Sequence, residues 1–513
     1  MVKVLLVVID AAEPRVVCPA IQTGQLPNMN RLLQAGCMHK GSVTIFPSIT
    51  PAATTAIVTG AYPEENGIAG AAWYDTATND IAYYGDDFWV IVREGFRAFL
   101  RDFLVRLNGG RLTAPTLFEM VEQGGKTAAS INYLVYKGLH EHKVHVPLLL
   151  TMLPGVRLTE VVNGPTVLCL GDFASSRTLH GRKLDGREGV LHRFGMDDSS
   201  SGQYLAELAE DKAMPDLTVA YFADNDYRSH EVGPFRALAC VEHVDDILGK
   251  MFACAGGMER FLEDTYVIIT SDHGHCEVLD DRDRAVIHLD QVLCDFRKAA
   301  LGKPWRDEDE VMICPNMRSA QIYFHHPTAE NSTRAIRMLL ADPRIDHVMW
   351  KTVDTRDNAL GFTVASKCGT LEFRVGDDGP ARARDAFGTV WSYHGDLAVI
   401  GARVDDGELE WSDYPNAFER IAGSLQHRRS GMIWATAVPG SEFEVMGGKA
   451  HVGGASHGGL HALESLSPVL VAGPRPVRLP APLRSIDIAP LIMQLLEMPM
   501  RYRVGESRGV RML

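Results

Sequence analysis

No apolar run in the 513-residue chain is long enough to span a bilayer. The opening MVKVLLVVID is cut short by Asp10 before any cleavage-site pattern appears, so neither a signal peptide nor a transmembrane segment is expected. Cysteine is sparse: nine residues (Cys18, Cys37, Cys169, Cys240, Cys254, Cys276, Cys294, Cys314 and Cys368), odd in number and without a CxxC pair. That scatter excludes a disulfide framework and a thiolate zinc knuckle, and leads to the expectation of a reducing, cytoplasmic compartment. Positive charge is in deficit as well. Lys and Arg number 51 against 65 Asp and Glu, a formal −14, and such a surface repels a nucleic-acid polymer. Repeats and low-complexity tracts are missing, and 46% hydrophobic and 23% charged residues exclude a disordered or fibrous chain.

What remains is a globular chain about three times the usual domain length of roughly 150 residues. Val2 to Ile9 is a continuous Val/Leu/Ile run, the pattern of a strand buried on both faces of a parallel sheet, and it ends at Asp10. Leu217 to Phe222 leads in the same way to Asp224 and Asp226, and Tyr266 to Ile269 leads to Asp272. Helix-compatible sequence follows each run, as at Pro234 to Lys250, so the fold class is α/β with a doubly wound, mostly parallel sheet. Three apolar strands that release carboxylates at their carboxyl ends place those acids where open α/β sheets bind ligands. Pro115 to Tyr133 reads as a helix and a strand, Pro468 to Gly473 as a strand, and Ile486 to Met498 as a closing helix.

The expected organisation is a catalytic core of residues 1–278 resumed at 451–513, with an inserted α+β domain at 279–450. The insertion mixes Arg/Asp-rich turns with the strand-like AQIYFHH, the helix-like STRAIRMLLAD and the alternating LEFRV. A smaller insertion at about 73–113 carries Phe96, Phe99, Leu100, Phe103 and Leu107 at helical spacing, with Arg93, Arg97, Arg101 and Arg106 between them. A cap helix, or one that forms a homodimer, is expected there rather than a helix on a membrane surface.

Four stretches carry candidate chemistry. In FPSITPAATTAIVTGAYPEENGI, Thr50 before Pro51 has the pattern of an N-cap followed by proline at the first helical position. A hydroxyl there faces unsatisfied N–H groups and the positive end of the dipole, which favours an alkoxide, although most Thr-Pro pairs only cap. ADNDYRSHEVGP sets Asp226 four residues before His230, on one helix face or across a loop, an oxygen and an imidazole nitrogen that suit zinc. TSDHGH puts Asp272 and His273 at the mouth of a buried strand, where polar side chains without partners are costly; His275 and Cys276 line the same loop. VGGASHGGLH surrounds His457 with glycine and offers His461 as a competitor.

Taken in order, Asp10, Thr50 in its helix-start motif, Asp226 with His230, Asp272 with His273, and His457 in SHGG resemble the alkaline phosphatase superfamily. The nearest branch is the type I phosphodiesterase/nucleotide pyrophosphatase family. The resemblance implies two divalent metal ions, Zn2+ in first place with Mn2+ as the alternative. It implies one ion held by Asp10, Thr50, Asp272 and His273 and the other by Asp226, His230 and His457, with Thr50 as nucleophile. His457 is preferred to His461 because SHGG followed by the PVLVAG strand fits the family pattern.

The activity so implied is hydrolysis of a phosphodiester or pyrophosphate bond in a nucleotide-like small molecule. The alternatives are a phosphomonoesterase or phosphonate hydrolase of the same superfamily, or a metal-binding protein without turnover. One position departs from the family: Ala53 stands where an asparagine three residues after the nucleophile commonly contacts a phosphoryl oxygen. Thr54, Thr55 or a backbone N–H are the substitutes on offer. Tyr133, Trp73 and Tyr74 are expected either beside a leaving-group pocket or as core filling.

Overall fold

The first apolar run becomes strand β1 (Lys3–Ile9), flanked in parallel by the two other runs that end in acids. The structure is a computed structural model that describes residues 2–75, 78–85, 91, 96–147, 159–186, 189–353, 360–446 and 448–500. Its seven-stranded sheet contains β1, β2 (Gly36–Val43), β3 (Ala128–Ile131), β4 (Val167–Cys169), β5 (Leu217–Phe222), β6 (Thr265–Thr270) and β7 (Leu466–Ala472), in the order β2-β7-β6-β1-β5-β3-β4. All neighbours are parallel except at β7, which is antiparallel to both β2 and β6.

Helices cover both faces, which is why β1 carries no polar alternation. Val4, Leu6 and Val8 enter one apolar layer with Ile57, Phe118, Leu491 and Ile492. Leu5, Val7 and Ile9 enter the opposite layer with Val17, Ile21, Leu205, Val244 and Leu248. Burying each such side chain contributes about 1.5–3 kcal/mol, so β1 anchors both layers and fixes where Asp10 emerges.

Several elements start later than their sequence patterns suggest. The helix read from Pro234 spans Leu238–Cys254, because the backbone is still turning after Gly233, whose φ is 82°. The closing helix is Ile488–Leu495, preceded by a 3-10 turn at Ser485–Asp487. The helix after Pro115 is Leu117–Gln123, held at its start by a capping box between Thr116 and Glu119.

A second sheet of ten strands is built from Val311–Asn316 through Ile433–Ala437, and every neighbouring pair is antiparallel except Ala381–Arg384 with Glu408–Trp411. AQIYFHH supplies the strand Ser319–Phe324, LEFRV the strand Gly369–Val375 and STRAIRMLLAD the helix Ala329–Ala341. Ile313, Ile322 and Ile433 of this sheet share the apolar layer of β1, so the two sheets pack through one core.

Residues 76–77, 86–90 and 92–95 of the arginine-bearing cap segment, Arg93 among them, lie outside the described residues. Its described part is a hairpin of Ala72–Asp75 with Asp80–Tyr83 and a helix at Phe96–Arg101 that widens into a π-helix at Asp102–Arg111. Leu104 packs with Tyr136 and Val144 of the same chain, while Arg106 pairs with Asp80 and Asp102, so this face is covered internally. Among the described residues no helix is long and apolar enough to cross a membrane.

Candidate metal and nucleophile site

The carboxyl ends of β1, β5 and β6 meet on one edge of the seven-stranded sheet, and the expected site residues converge there. Asp10 follows β1 directly; its N–H donates to Phe222 O at 2.9 Å and its carbonyl accepts from Asn225 Nδ2 at 2.8 Å. Ala11 turns the chain with a φ of 54°, an uncommon conformation for a residue with a Cβ, and its N–H then reaches Asp272 Oδ1 at 3.2 Å. Asp226 and His230 lie one turn apart on helix α2 (Asp224–Val232), which settles helix over loop for that pair. Asp272 and His273 follow β6 and are both fully buried.

Thr50 was expected as an N-cap. Helix α1 spans Thr50–Thr59, and Ile49, extended at φ −132° and ψ 139°, is the capping position, so Thr50 is the first helical residue. With the cap displaced by one residue, the Thr50 hydroxyl is not engaged in capping and lies 3.1 Å from His273 Nε2. The rest of α1 is buried, and Tyr133 braces it by donating to Thr54 O at 2.7 Å. Ala53 is fully buried, and the hydroxyls of Thr54 and Thr55 donate to carbonyls one turn back, at Thr50 and Pro51. Trp73, Tyr74 and Tyr133 are core aromatics.

His457 arrives from far along the chain. Residues Ala455–Ser456 pair antiparallel with Cys276–Glu277, which lays the SHGG loop against the turn after β6. Gly458 is required there: its φ is 111°, and a Cβ would lie 2.2 Å from Asn316 O. His461 stays apart; it caps the helix Ala462–Ser465 by accepting from Leu463 N.

Two clusters result. In one, Asp10, Asp272 and His273 gather, with His273 Nε2 at 3.6 Å from Asp10 Oδ1 and 3.4 Å from Asp272 Oδ2. In the other, Asp226, His230 and His457 are joined by His275, which the sequence reading left as loop lining. The stacked rings of His273 and His457, 3.8 Å between centroids, place the clusters side by side.

The chemistry of these atoms fits divalent cations. Asp10 Oδ1, Asp226 Oδ1, Asp272 Oδ2, His230 Nε2, His457 Nε2 and both nitrogens of His275 are buried without a hydrogen-bond partner. Native interiors rarely leave such groups unpaired, and here seven such atoms belong to residues of the two clusters. The other ring nitrogen is held in three cases: Nδ1 lies 2.7 Å from Ala455 O in His230, 2.9 Å from Ser48 O in His457 and 3.1 Å from Gly274 O in His273. A carbonyl accepting at Nδ1 leaves Nε2 as the electron-pair donor.

Electrostatics point the same way. Burial and the charges of Asp272 and Asp226 push the Asp10 carboxyl well above the usual carboxylate range, despite a bond from the Tyr221 hydroxyl. Burial acts upward on Asp226 too, but His230 and His275 outweigh it and hold that carboxyl well below its ordinary value. Burial drives His275 down to about 4, and at His230 the Asp226 charge overrides burial and lifts the imidazole to about 9. Cations in this setting would compete with protons for the same atoms.

Comparison with known proteins gives the family and the fold. The model of the type I phosphodiesterase / nucleotide pyrophosphatase family matches residues 4–349. The chain belongs to that family, within the alkaline phosphatase superfamily, and is by that membership a phosphoric ester hydrolase. The family is metal-dependent. Among curated protein sequences none matches this chain.

Solved structures share the fold across nearly the whole length. The phosphonoacetate hydrolase of Sinorhizobium meliloti 1021, in complex with phosphonoformate, is similar at a TM-score of 0.55 and 18% identity, with 96% of each chain covered. An inactive variant of the murine ectonucleotide pyrophosphatase / phosphodiesterase 5, in complex with AMP, is similar at 0.56 and 14%, covering 99% of this chain and 97% of that one. The human ectonucleotide pyrophosphatase / phosphodiesterase 5 gives 0.55 and 15%, covering 98% and 97%.

Proposed function

We propose that this chain hydrolyses phosphodiester or pyrophosphate bonds of nucleotide-like small molecules, with Thr50 as the nucleophile. In this reading two divalent cations, zinc in first place and manganese as the alternative, are held by Asp10, Thr50, Asp272 and His273 and by Asp226, His230 and His457. The observation that carries it is the Thr50 hydroxyl, half-buried at the amino end of α1, 3.1 Å from His273 Nε2 and beside both clusters of unpartnered buried ligand atoms. When bound, the cations supply Lewis-acid chemistry that lowers the hydroxyl pKa and offsets phosphoryl charge.

The chain's own groups do the rest. The amino end of α1 favours negative charge on Thr50 Oγ1 as its proton leaves. That oxygen attacks phosphorus, a phosphothreonine forms, and the ester oxygen departs with its electron pair. Water then attacks the same phosphorus, the bond to Thr50 breaks and the hydroxyl is restored. Residues 279–450 are taken as an inserted unit, a reading supported by the second sheet lying within it. A cytoplasmic location is favoured by nine cysteines that are all unpaired.

Ala53 favours a second reading, a phosphomonoesterase or phosphonate hydrolase, since the position offers no side-chain donor to a phosphoryl oxygen. Rates on bis-p-nitrophenyl phosphate and p-nitrophenyl phosphate, before and after chelation and with Thr50→Ala, decide the matter. The expected result is a diester rate above the monoester rate, abolished by chelation and reduced by about 10³-fold or more in Thr50→Ala. Hydrolysis indifferent to chelation and to the substitution overturns the mechanism; a ratio below unity moves the assignment to the second reading.

A further inference from the structure

The imidazole of His275 is fully buried and neither of its nitrogens has a hydrogen-bond partner. Leaving two ring nitrogens unpaired in a protein interior costs about 1–3 kcal/mol each, so a purely structural histidine here would be a poor choice for the fold. Its Nε2 stands 3.3 Å from Asp226 Oδ1 without forming a hydrogen bond. His230 Nε2 lies 3.4 Å from Asp226 Oδ2 and His457 Nε2 lies 3.6 Å from Asp226 Oδ1.

These spacings have a simple geometric meaning. Four ligand atoms at about 2.0–2.1 Å from a zinc ion sit at the corners of a tetrahedron whose edges are about 3.3–3.4 Å. The Asp226 carboxylate already stands near that spacing from all three imidazoles, and one ligand atom from each of the four residues lies within 4.8 Å of the others, before any cation is considered. The rings of His230 and His457 stand 4.8 and 5.1 Å from that of His275, both steeply inclined to it.

We propose that His275 is a fourth protein ligand to the cation of the Asp226, His230 and His457 cluster, making that site selective for zinc, with a fifth position left for a phosphoryl oxygen. The proposal rests on the reading of those three residues as ligands. Imidazole-rich sets suit zinc, whereas carboxylate and hydroxyl oxygens suit manganese. The neighbouring group of Asp10, Asp272, His273 and Thr50 contains a single imidazole and is the more permissive of the two. The two sites therefore differ in metal preference and in how fast they release an ion.

The placement follows from the chain. His275 is brought to the cluster by the turn after β6 and by the pairing of Cys276 with Ser456, one residue from each histidine. Unlike the other three imidazoles of the two clusters, it has no backbone carbonyl holding Nδ1, so its ring is oriented by packing and by whatever its Nε2 binds.

Zinc release from the holoprotein to a chromogenic chelator tests this without an activity assay. The wild-type chain is expected to release two ions in a fast and a slow phase. In His275→Gln and His275→Ala the slow phase accelerates by at least about 10–100-fold, the scale set by losing even an outer partner of a metal ligand, while the fast phase is unchanged. A slow phase of unchanged rate in both variants overturns the proposal. Should both variants fail to fold, the 15N-histidine spectrum of the wild-type chain decides: ring-nitrogen signals of four imidazoles, those of His230, His273, His275 and His457, shifting on zinc loading support the fourth ligand, and a His275 signal that does not shift sinks it. A chain that takes up no zinc fails the underlying reading and this proposal together; a chain that takes up two ions with His275 irrelevant fails the proposal alone.

Discussion

His275 and His347 are both buried imidazoles, and the two sheets treat them differently. His347, on the strand Ile345–Val353 of the second sheet, has Nδ1 3.3 Å from Thr436 Oγ1 and Nε2 2.8 Å from Val399 O. His275, at the edge of the seven-stranded sheet, has a hydrogen bond at neither nitrogen. The arginines of the second region continue the pattern: Arg318, fully buried, reaches both carboxylate oxygens of Glu464 at 3.0 Å and the carbonyls of Ala437, Val438 and Ser441. His347 and the Arg318 guanidinium are thus satisfied by protein groups, whereas at the strand ends of the first region ligand-type atoms of neighbouring residues are left open together. A fold tolerates the latter where a ligand completes it.

The largest blow to this contrast should come from Arg318→Met. It strands the Glu464 carboxylate in the interior, and a loss of about 3–5 kcal/mol in urea unfolding is expected. Adding Glu464→Gln should recover much of it; a single variant as stable as wild type would mean the pair is not what holds the second region together. Next in size is His347→Leu, which leaves the Val399 carbonyl and the Thr436 hydroxyl short of a partner and should cost about 1–3 kcal/mol.

At the strand ends the expected sign reverses. Burial and neighbouring carboxylates raise the Asp10 pKa in the folded chain, so this group stabilises the metal-free fold only at low pH and loses that contribution as pH rises. Asp10→Asn should therefore leave the metal-stripped protein as stable as wild type or more so at pH 8, yet bind zinc more weakly. A lower melting temperature for the stripped variant would contradict that.

The smallest effect concerns His427, which burial and the charges of Arg429 and Arg428 hold down to about 4. A histidine that is neutral when folded and protonated when unfolded keeps its stabilising contribution above about pH 6.5 and loses it as pH falls toward 4. His427→Gln should flatten the acid limb of a stability–pH curve over that window; an unchanged slope would remove His427 from the account.

The parts of the molecule legible in sequence are those set by local pattern. Continuous apolar runs gave away β1, β5 and β6 because strands covered on both faces need no polar alternation, and the acids following them marked the ligand edge. Thr50 was found but placed one residue off, since a Thr-Pro pair fits the first helical turn as well as the cap. His275 escaped for a different reason. It gains meaning only through the pairing of Cys276 with Ser456, a contact across 180 residues with no local signature. The ten-strand order of the second sheet was equally hidden, because its neighbours, such as Ser319–Phe324 beside Ile433–Ala437, are chosen by long-range register.

The Arg318 backbone N–H also donates to His457 O at 2.9 Å, and its partner Glu464 accepts from Gly459 N at 2.9 Å, so the second region grips the SHGG loop directly at His457 and through Glu464 at Gly459. An engineer who trimmed the chain to its seven-stranded half would therefore not obtain a minimal catalyst. The excised half carries the fastening of a histidine it does not contain, and any graft of this site onto another scaffold has to bring that fastening along.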